Sequence, residues 1–319
     1  MKKKIYIILI AIVIIICILG FIKINAYIKE IEGMKVTLVG GSTMENQGNT
    51  HSLAYFIRTR NGELIVVDGG RNIDAEIIKK YIYEYGNGKV DHWFITHAHD
   101  DHVGAIIEIL KEDNSIEIEN LYYKFLSDAW YEKFDANRYV AAHEMLKVLS
   151  SKKIKNRIEC ERGQVIEIDN IRCDIIRTVN PSIKTTKANG NEQSMVFKLT
   201  AKDVKKSLIF LGDAGEIASI ELLKQKELLK ADSVQMAHHG QAGVTKEVYQ
   251  AIKPDICFYN TPEWLWNNDI GEGYDTGNWK TVIVRGWMKK LNTINYVSYK
   301  GDQVFHYTRN GIVKILQNP

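Results

Sequence analysis

The chain has 319 residues, of which 45% are hydrophobic and 25% are charged. This composition suffices for one large α/β core, near the upper size limit of a single domain. The net charge of +3 is too small to indicate a nucleic-acid partner. Outside the N-terminal segment only three cysteines remain, and this odd number argues against a disulfide framework.

The N-terminal segment has the pattern of a membrane anchor. Three lysines, Lys2 to Lys4, precede eighteen uncharged residues, 5–22, and this is the shortest length that spans a bilayer core as a helix. The lysines favour the cytoplasmic side, so the rest of the chain is expected outside. A cleaved signal peptide is the alternative, but no Ala-x-Ala site follows. We predict a single-pass anchor in the cell membrane over residues 1–26 and one extracellular domain over 27–319.

Hydrophobic periodicity predicts strands and helices in alternation through the domain. In the first half, strands are expected at 35–40, 53–58, 64–68, 90–96, 165–168 and 171–177, and helices at 73–85 and 100–111. In the second half, strands are expected at 194–199, 207–212, 233–237, 255–260, 294–299, 303–307 and 312–316, and helices at 215–229 and 279–291. This order fits an αββα sandwich of two sheets with helices outside, although periodicity alone also allows a doubly wound sheet.

The segment Thr-His-Ala-His-Asp-Asp-His at 96–102 carries the clearest chemistry. It joins a short apolar strand to a helix, and imidazole plus carboxylate is a ligand mix that suits zinc, manganese or iron. His97 and His99 are placed to hold one ion from an extended segment, while Asp101 and His102 face a second from the first helical turn. An acidic helix N-terminus would explain the aspartates, but it would not explain three histidines.

Three further strands are predicted to end in an aspartate or a histidine. Asp68 ends one strand, before two glycines that allow a tight turn, and it either orients the histidine segment or belongs to a simple Asp-Gly turn. Asp213 ends another strand, and His238 and His239 end a third. Ligand-type residues at so many strand ends indicate one shared site.

With these residues in place, the chain resembles the metallo-β-lactamase superfamily over residues 34–310. Within it, the chain resembles the metallohydrolase part of the competence protein ComEC and the phosphorylcholine esterases that act on teichoic acid. The resemblance implies an αββα fold and two divalent metal ions, zinc or alternatively manganese, with Asp213 bridging them. It implies these metal ligands: His97, His99, Asp101, His102, Asp213 and one of His238 and His239. It also places Asn191 and Ser194 beside the site, where both residues are equally able to cap a turn.

Two positions depart from the superfamily pattern. Between His102 and Asp213 the sequence contains only His143, in the middle of a predicted helix, so the usual intermediate histidine ligand is absent. ComEC-like chains carry a histidine in a Gly-His-Pro turn, and Asn278 stands at the matching place beside the site. We therefore predict that the first metal site is better supplied than the second. His306, on a late strand, is predicted to be a sheet residue.

The expected chemistry is hydrolysis of a phosphodiester by a metal-activated water. Asp101 is a candidate catalytic ligand, and Asp68 or Asp100 is the candidate for orienting the nucleophile. Trp264, Trp266 and Tyr274 lie among acidic residues and are the candidate substrate contacts. They would form a cage for a quaternary ammonium group, stack on nucleobases, or pack over the core.

Three functions follow from these patterns. The first is an anchored phosphodiesterase acting on cell-envelope phosphoesters, including phosphorylcholine-type substrates. The second is a nuclease that degrades extracellular DNA. The third is a metal-binding scaffold without turnover. The membrane is an expected partner through the N-terminal helix, and the sequence indicates no protein partner.

Overall fold

The computed structural model describes residues 12–24, 32–39, 52–112, 115–184 and 189–315. The strands in these ranges are β1 (Met34–Leu38), β2 (Ala54–Arg58), β3 (Leu64–Asp68), β4 (Lys89–Phe94), β5 (Glu117–Tyr123), β6 (Ile154–Glu159), β7 (Val165–Ile168), β8 (Ile171–Arg177), β9 (Val196–Ala201), β10 (Lys206–Phe210), β11 (Ser233–Gln235), β12 (Ile256–Tyr259), β13 (Ile294–Val297), β14 (Gln303–Thr308) and β15 (Gly311–Ile315). The helices are α1 (12–24), α2 (Ala75–Gly86), α3 (Asp100–Lys111), α4 (Asp128–Phe134), α5 (Tyr139–Val148), α6 (Glu216–Leu223), α7 (Lys246–Ile252), α8 (Glu263–Trp266) and α9 (Thr281–Lys290).

The strands form two sheets. The first has eight strands in the order β15-β14-β1-β2-β3-β4-β5-β6, and the second has seven in the order β13-β12-β11-β10-β9-β8-β7. β3 to β6 run parallel to one another, as do β10 to β13. The carboxyl ends of these parallel strands provide the edge at which sites are built in α/β sheets.

β3 shows how the layers arise. All five of its residues are buried, and alternate side chains point to opposite faces of a strand. Ile65 and Val67 enter the apolar layer between the two sheets, whereas Leu64 and Val66 enter the layer under α2, α3 and α5. A strand buried on both faces reads as a continuous apolar run, which is the pattern found here.

The second sheet is covered in the same way. Residues of α6, α7 and α9 pack on its outer face in a third apolar cluster. The order of layers is therefore helix, sheet, sheet, helix. The predicted two-sheet sandwich is confirmed, and the doubly wound alternative is not formed.

Half of the predicted anchor, residues 1–11 and 25–26, lies outside the described residues, which begin at 12 and resume at 32 after α1. α1 exposes its apolar side chains, from Ile12 to Ile24. None of the helices within the described ranges combines enough length and apolar character to cross a membrane.

Candidate metal centre

The candidate site lies where the two sheets bring their strand ends together. The first sheet contributes Asp68 at the end of β3 and the turn between β4 and α3. The second sheet contributes Asp213 after β10 and His238 and His239 after β11. The structure therefore gathers at one edge the residues that the sequence placed at separate strand ends.

Four side chains converge most closely: Asp101, His102, Asp213 and His239. Each offers one ligand atom, and all four atoms lie within 4.8 Å of one another. His102 Nε2 lies 3.2 Å from Asp213 Oδ1, and His239 Nε2 lies 3.3 Å from Asp101 Oδ2. All four residues are buried. Two carboxylates and two imidazoles at this spacing are a ligand set for a divalent transition metal.

Asp68 fixes the orientation of His102. Its carboxylate accepts hydrogen bonds from Thr96 N at 2.8 Å and Thr96 Oγ1 at 2.7 Å, and it lies 2.8 Å from His102 Nδ1. Since Nδ1 donates to Asp68, His102 Nε2 faces Asp213. This is the carboxylate-histidine arrangement that orients metal ligands. Of the two roles predicted for Asp68, these contacts fit the orienting one. Both of its carboxylate oxygens are engaged by protein groups.

His238 and His239 have different environments. Both have left-handed backbone angles, with φ of 50° and 55°. The His239 side chain is fully buried, and its Nδ1 donates to Asn260 O at 2.9 Å, which turns Nε2 toward the cluster. The His238 side chain is 25% exposed, and its Nε2 lies 3.8 Å from Asp213 Oδ2. The structure thus selects His239 as the histidine of the cluster, with His238 at its rim.

Asn191 and Ser194 both lie at the site, on the second-sheet side. Ser194 Oγ accepts a hydrogen bond from Asp213 N at 3.0 Å and so positions the backbone of that aspartate. Asn191 Nδ2 lies 3.2 Å from His238 Nε2, and Asn191 Oδ1 is buried without a hydrogen bond among the described residues. Asn191 therefore offers an open acceptor next to the rim histidine.

His97 and His99 lie beside the cluster. The His97 ring centroid is 4.1 Å from that of His102 and 4.6 Å from that of His99. His99 Nε2 lies 2.8 Å from Asp135 Oδ2, so Nδ1 is the nitrogen that remains for a ligand. Asp135 follows α4, and no motif in the sequence marked it as a site residue.

Glycine is required where the chain passes His99. A Cβ atom at Gly190 would lie 2.2 Å from both His99 Nε2 and Asp135 Oδ2. Any larger residue would therefore displace the His99-Asp135 pair. The Gly190 backbone is packed against the pair, which holds the histidine ring in place.

The donor atoms fit a metal. His97 Nε2, His102 Nε2 and Asp213 Oδ1 are buried, and none of them satisfies a hydrogen bond of good geometry within the described residues. A buried polar atom without a partner is costly, and coordination of a cation would remove that cost. The donor set of imidazole nitrogen and carboxylate oxygen matches zinc, manganese or iron and does not select among them.

The buried charges of the cluster shift one another's pKa values. Burial lowers the pKa of His102, but the carboxylates of Asp213 and Asp68 outweigh it and raise that pKa well above its usual range. Burial raises the pKa of Asp213, but His102 and His239 hold it well below its usual range. Burial and the neighbouring His102 lower the pKa of His97 well below its usual range.

The second metal position has more candidate ligands than the first, whereas the sequence predicted the opposite. The converging set contains Asp101 and His102, which belong to the second position. The first position has His97 and His99, whose rings lie 4.6 Å apart, and neither belongs to the converging set. Asn278 is exposed, and no hydrogen bond within the described part of the chain joins it to the cluster. With His239, the second position has four candidate ligands without Asn278.

Asp100 has a different role from the predicted one. One of its carboxylate oxygens is bound by Arg71, and the other lies 2.5 Å from Arg138 Nη1. Both oxygens are thus engaged by arginines, which speaks against Asp100 as the group that orients a nucleophile. Asp101, in contrast, lies in the cluster and 3.9 Å from Arg71.

The aromatic segment, for which a cage, base stacking and packing over the core were the alternatives, packs against neighbouring side chains. The Trp266 ring packs edge-on against Tyr259 at 5.1 Å and carries the Arg285 guanidinium 3.9 Å from its centre. Trp264 packs against Trp279, and Tyr274 is 60% exposed. Among the described residues no ring contact joins Trp264, Trp266 and Tyr274, so the packing alternative describes them better.

Two further histidines, His143 and His306, lie where they were predicted. His143 lies within α5, where its Nδ1 is 2.8 Å from Asp128 Oδ1. His306 lies in β14, and its Nε2 donates to Glu32 O at 2.8 Å. Neither side chain belongs to the cluster.

Comparison with known proteins agrees with this geometry. Residues 48–169 match the sequence model of the Metallo-beta-lactamase superfamily. The chain is similar in structure to the metallo-beta-lactamase fold protein YhfI from Bacillus subtilis, with 13% identity and a TM-score of 0.50, over 86% of this chain and 100% of that chain. It is similar to unliganded yeast PDE1, with 10% identity and a TM-score of 0.51, over 85% and 98%.

The chain is also similar to CmlA, a diiron β-hydroxylase from Streptomyces venezuelae, with 14% identity and a TM-score of 0.52, over 86% of this chain and 54% of that chain. At such identities these likenesses show the fold. A search of curated protein sequences gave no significant match. The predicted superfamily domain is confirmed by the match over residues 48–169, whereas the narrower resemblance to ComEC and to phosphorylcholine esterases stays a prediction.

Proposed function

We propose that this chain, which contains a metallo-β-lactamase superfamily domain, is a metal-dependent phosphodiesterase. The observation that carries the proposal is the buried convergence of Asp101, His102, Asp213 and His239 within 4.8 Å. The fold does not decide the reaction, because one fold hosts many activities. The proposal therefore depends on the site.

Each part of the site has a role in this proposal. Asp101, His102, Asp213 and His239 would hold one ion, and His97, His99 and Asp213 would contribute to a second. When bound, divalent ions supply Lewis acidity and lower the pKa of water, which suits displacement at a phosphodiester. Asp68 keeps His102 Nε2 turned to the ligand position. Asn191 and His238, at the rim, offer polar atoms to the substrate.

We propose the cell membrane as the location and cell-envelope phosphoesters as the substrate class. The support is the sequence pattern of three lysines before an uncharged segment and the apolar side chains that α1 exposes. A helix that is apolar all round needs a partner or a lipid environment. Because the three predicted cage aromatics do not meet, the proposal includes no quaternary ammonium pocket, and choline should not inhibit hydrolysis.

The test uses the purified full chain, stripped of metal with a chelator and reloaded with zinc, manganese or iron(II). We expect hydrolysis of bis(p-nitrophenyl) phosphate to return with metal and to exceed hydrolysis of the corresponding phosphomonoester and acetate ester. His102→Ala should lose both metal and activity. The matched control is His143→Ala, which removes a histidine outside the cluster and should retain both.

The outcomes separate the candidate functions. Bound metal without hydrolysis of any diester would leave the scaffold function and contradict the proposal. Hydrolysis of single-stranded or duplex DNA at a rate above that of small diesters would favour the nuclease. Equal loss of metal in His102→Ala and His143→Ala would show that the ligand assignment is wrong.

A further inference from the structure

A row of basic side chains crosses the first sheet on three strands that carry none of the proposed metal ligands. Lys35 in β1 is the direct cross-strand partner of Arg58 in β2 and, on its other side, of His306 in β14. Directly paired residues project on the same face. We call His306, Lys35 and Arg58 the basic row.

The basic row lies beyond the cover of α2. In the adjacent row of the same face, Phe56 packs against Tyr81 at 5.2 Å and against Tyr85 at 6.0 Å, both from α2. The basic row lies two residues away from Phe56 along the strands. It lines a pocket of about 200 Å³ together with Arg60 and Glu32. Within the described ranges, this part of the sheet face therefore forms a pocket that a ligand can enter.

Among the described residues, the pocket lining carries three cationic side chains and one carboxylate. Within the described residues, Lys35, Arg58 and Arg60 form no salt bridge. Glu32 also lines the pocket, but its carboxylate lies 4.0 Å from Arg309 Nε and 3.4 Å from Arg309 N. Like charges directly opposite one another in a sheet are destabilising, and an anion between them would reverse that effect.

Exposed apolar side chains continue the row toward the sheet edge. Val313 in β15 is the cross-strand partner of His306 and is 55% exposed, and Ile315, on the same face, is 36% exposed. Basic residues beside exposed aliphatic residues are typical of surfaces that lie in the headgroup region of a bilayer.

The chain itself brings this face near the proposed anchor. Seven residues, 25–31, separate the end of α1 from Glu32, which lines the pocket. A fully extended chain covers at most about 3.6 Å per residue, so Glu32 lies within roughly 30 Å of the end of α1. If α1 belongs to a membrane anchor, the pocket is held close to the bilayer surface.

We propose that this face of the first sheet docks on the bilayer and that the pocket binds the phosphate of an anionic phospholipid headgroup. The inference rests on the membrane location in the proposed function, but it does not depend on the hydrolase activity. Phosphate suits the pocket because its lining includes the cationic donors Lys35, Arg58 and Arg60. Docking would fix the orientation of the domain, so that the metal centre faces envelope polymers in a constant direction.

The test is lysine footprinting of the full chain in nanodiscs. One set of discs contains phosphatidylcholine alone, and the other contains phosphatidylcholine and phosphatidylglycerol in a three-to-one ratio. Acetylation of Lys35 by limiting reagent is measured by mass spectrometry. We expect it to fall at least about fivefold with phosphatidylglycerol, the effect of one cation near an anionic surface. Lys152, an exposed lysine beside the opposite edge of the same sheet, should be unaffected.

A pair of variants identifies the pocket as the cause. Arg58→Gln with Arg60→Gln should abolish most of the protection of Lys35. The matched control is Lys289→Gln with Lys290→Gln, which removes two exposed charges from α9 on the other sheet and should retain the protection. Equal protection in both double variants would overturn the assignment of the pocket.

The remaining outcomes are decisive in either direction. Equal Lys35 acetylation in the two kinds of disc would overturn the proposal. Protection in phosphatidylcholine discs by soluble glycerol phosphate or by a DNA oligonucleotide, with none from phosphatidylglycerol, would assign the pocket to a soluble anion and also overturn it. Co-elution of chain and disc reports on the membrane location, and diester hydrolysis in the same sample reports on the hydrolase. A chain that does not enter discs contradicts the membrane location and this inference together, while its hydrolysis is scored separately.

Discussion

The substitution Asp68→Asn tests the orienting role of Asp68 with the smallest change of shape. One carboxylate oxygen now meets Thr96 N at 2.8 Å, and the other meets Thr96 Oγ1 at 2.7 Å and His102 Nδ1 at 2.8 Å. All of these groups are buried. Asparagine keeps one acceptor oxygen and replaces the other with an NH₂ donor.

Neither orientation of the amide restores the native arrangement. If its oxygen accepts from Thr96 N, its NH₂ faces His102 Nδ1, so the histidine must carry its proton on Nε2 and loses the lone pair that binds metal. If its oxygen faces His102, its NH₂ meets Thr96 N–H, and a buried donor is left unsatisfied at a cost of about 1–3 kcal/mol. Changes to such supporting groups lower metal affinity by about 10–100-fold, which equals roughly 1.4–2.7 kcal/mol.

The assay is competition for metal between the stripped protein and a chromophoric chelator, with thermal unfolding measured alongside. The matched control is Asp91→Asn, since Asp91 also accepts a backbone hydrogen bond, from Leu64 N at 2.9 Å, but contacts no site residue. We expect the first metal ion to bind more weakly to Asp68→Asn than to the wild type. Its affinity for Asp91→Asn should be unchanged. A wild-type affinity in Asp68→Asn would refute the reasoning, and an equal loss in both variants would point to general destabilisation.

Two further predictions concern the same cluster. His239→Ala should bind less metal than the wild type, whereas His238→Ala should keep its metal and lose substrate affinity, because only His239 is buried among the ligands; elemental analysis and KM distinguish them, and equal metal loss would contradict the assignment. Since the pKa of His102 is raised in the metal-free protein, metal must displace its proton. Affinity should then increase with pH, about tenfold per unit for one proton, until pH exceeds that raised pKa. A flat profile in metal titrations between about pH 6 and 8 would mean that His102 is already neutral in this range, and it would contradict the raised pKa.

Much of the first-sheet half of the site was predictable because its geometry is local. A strand, a turn and the first turn of a helix place His97, Asp101 and His102 within a few residues of one another, whatever the rest of the fold does. Their spacing therefore predicted two separate ligand groups. The second-sheet half depends on turn geometry that spacing does not encode. Two successive left-handed residues, His238 and His239, decide that the second one faces the cluster.

The segment between α3 and β7 was the least predictable part of the site. β5, α4, α5 and β6 lie there, and of these only the helix around His143 was predicted. Asp135, which contacts His99 Nε2 at 2.8 Å, lies between α4 and α5 without any motif around it. A single aspartate among many acidic residues gives no signal until the fold places it beside a histidine.

The aromatic segment shows the limit of composition as evidence. Two tryptophans and a tyrosine near acidic residues are typical of an ammonium cage, but they are equally typical of a loop that packs on a helix. Packing decides between these outcomes. Arg285 of α9 lies over Trp266 and donates to its carbonyl at 2.9 Å, which holds that ring against the second sheet.

A metal centre shared by two sheets needs a fixed distance between them, and Thr96 supplies it. Its N and Oγ1 donate to Asp68 in the first sheet, and its carbonyl accepts from Met195 N at 2.8 Å, next to the Ser194 that binds Asp213 N. Gly212 makes this close approach possible, because a Cβ there would lie 2.9 Å from both Thr96 Cβ and Ser194 Oγ. The glycine also has a left-handed φ of 54°. The glycine before Asp213 is therefore as much a condition for the metal centre as the ligands, since without it the two halves of the cluster could not meet.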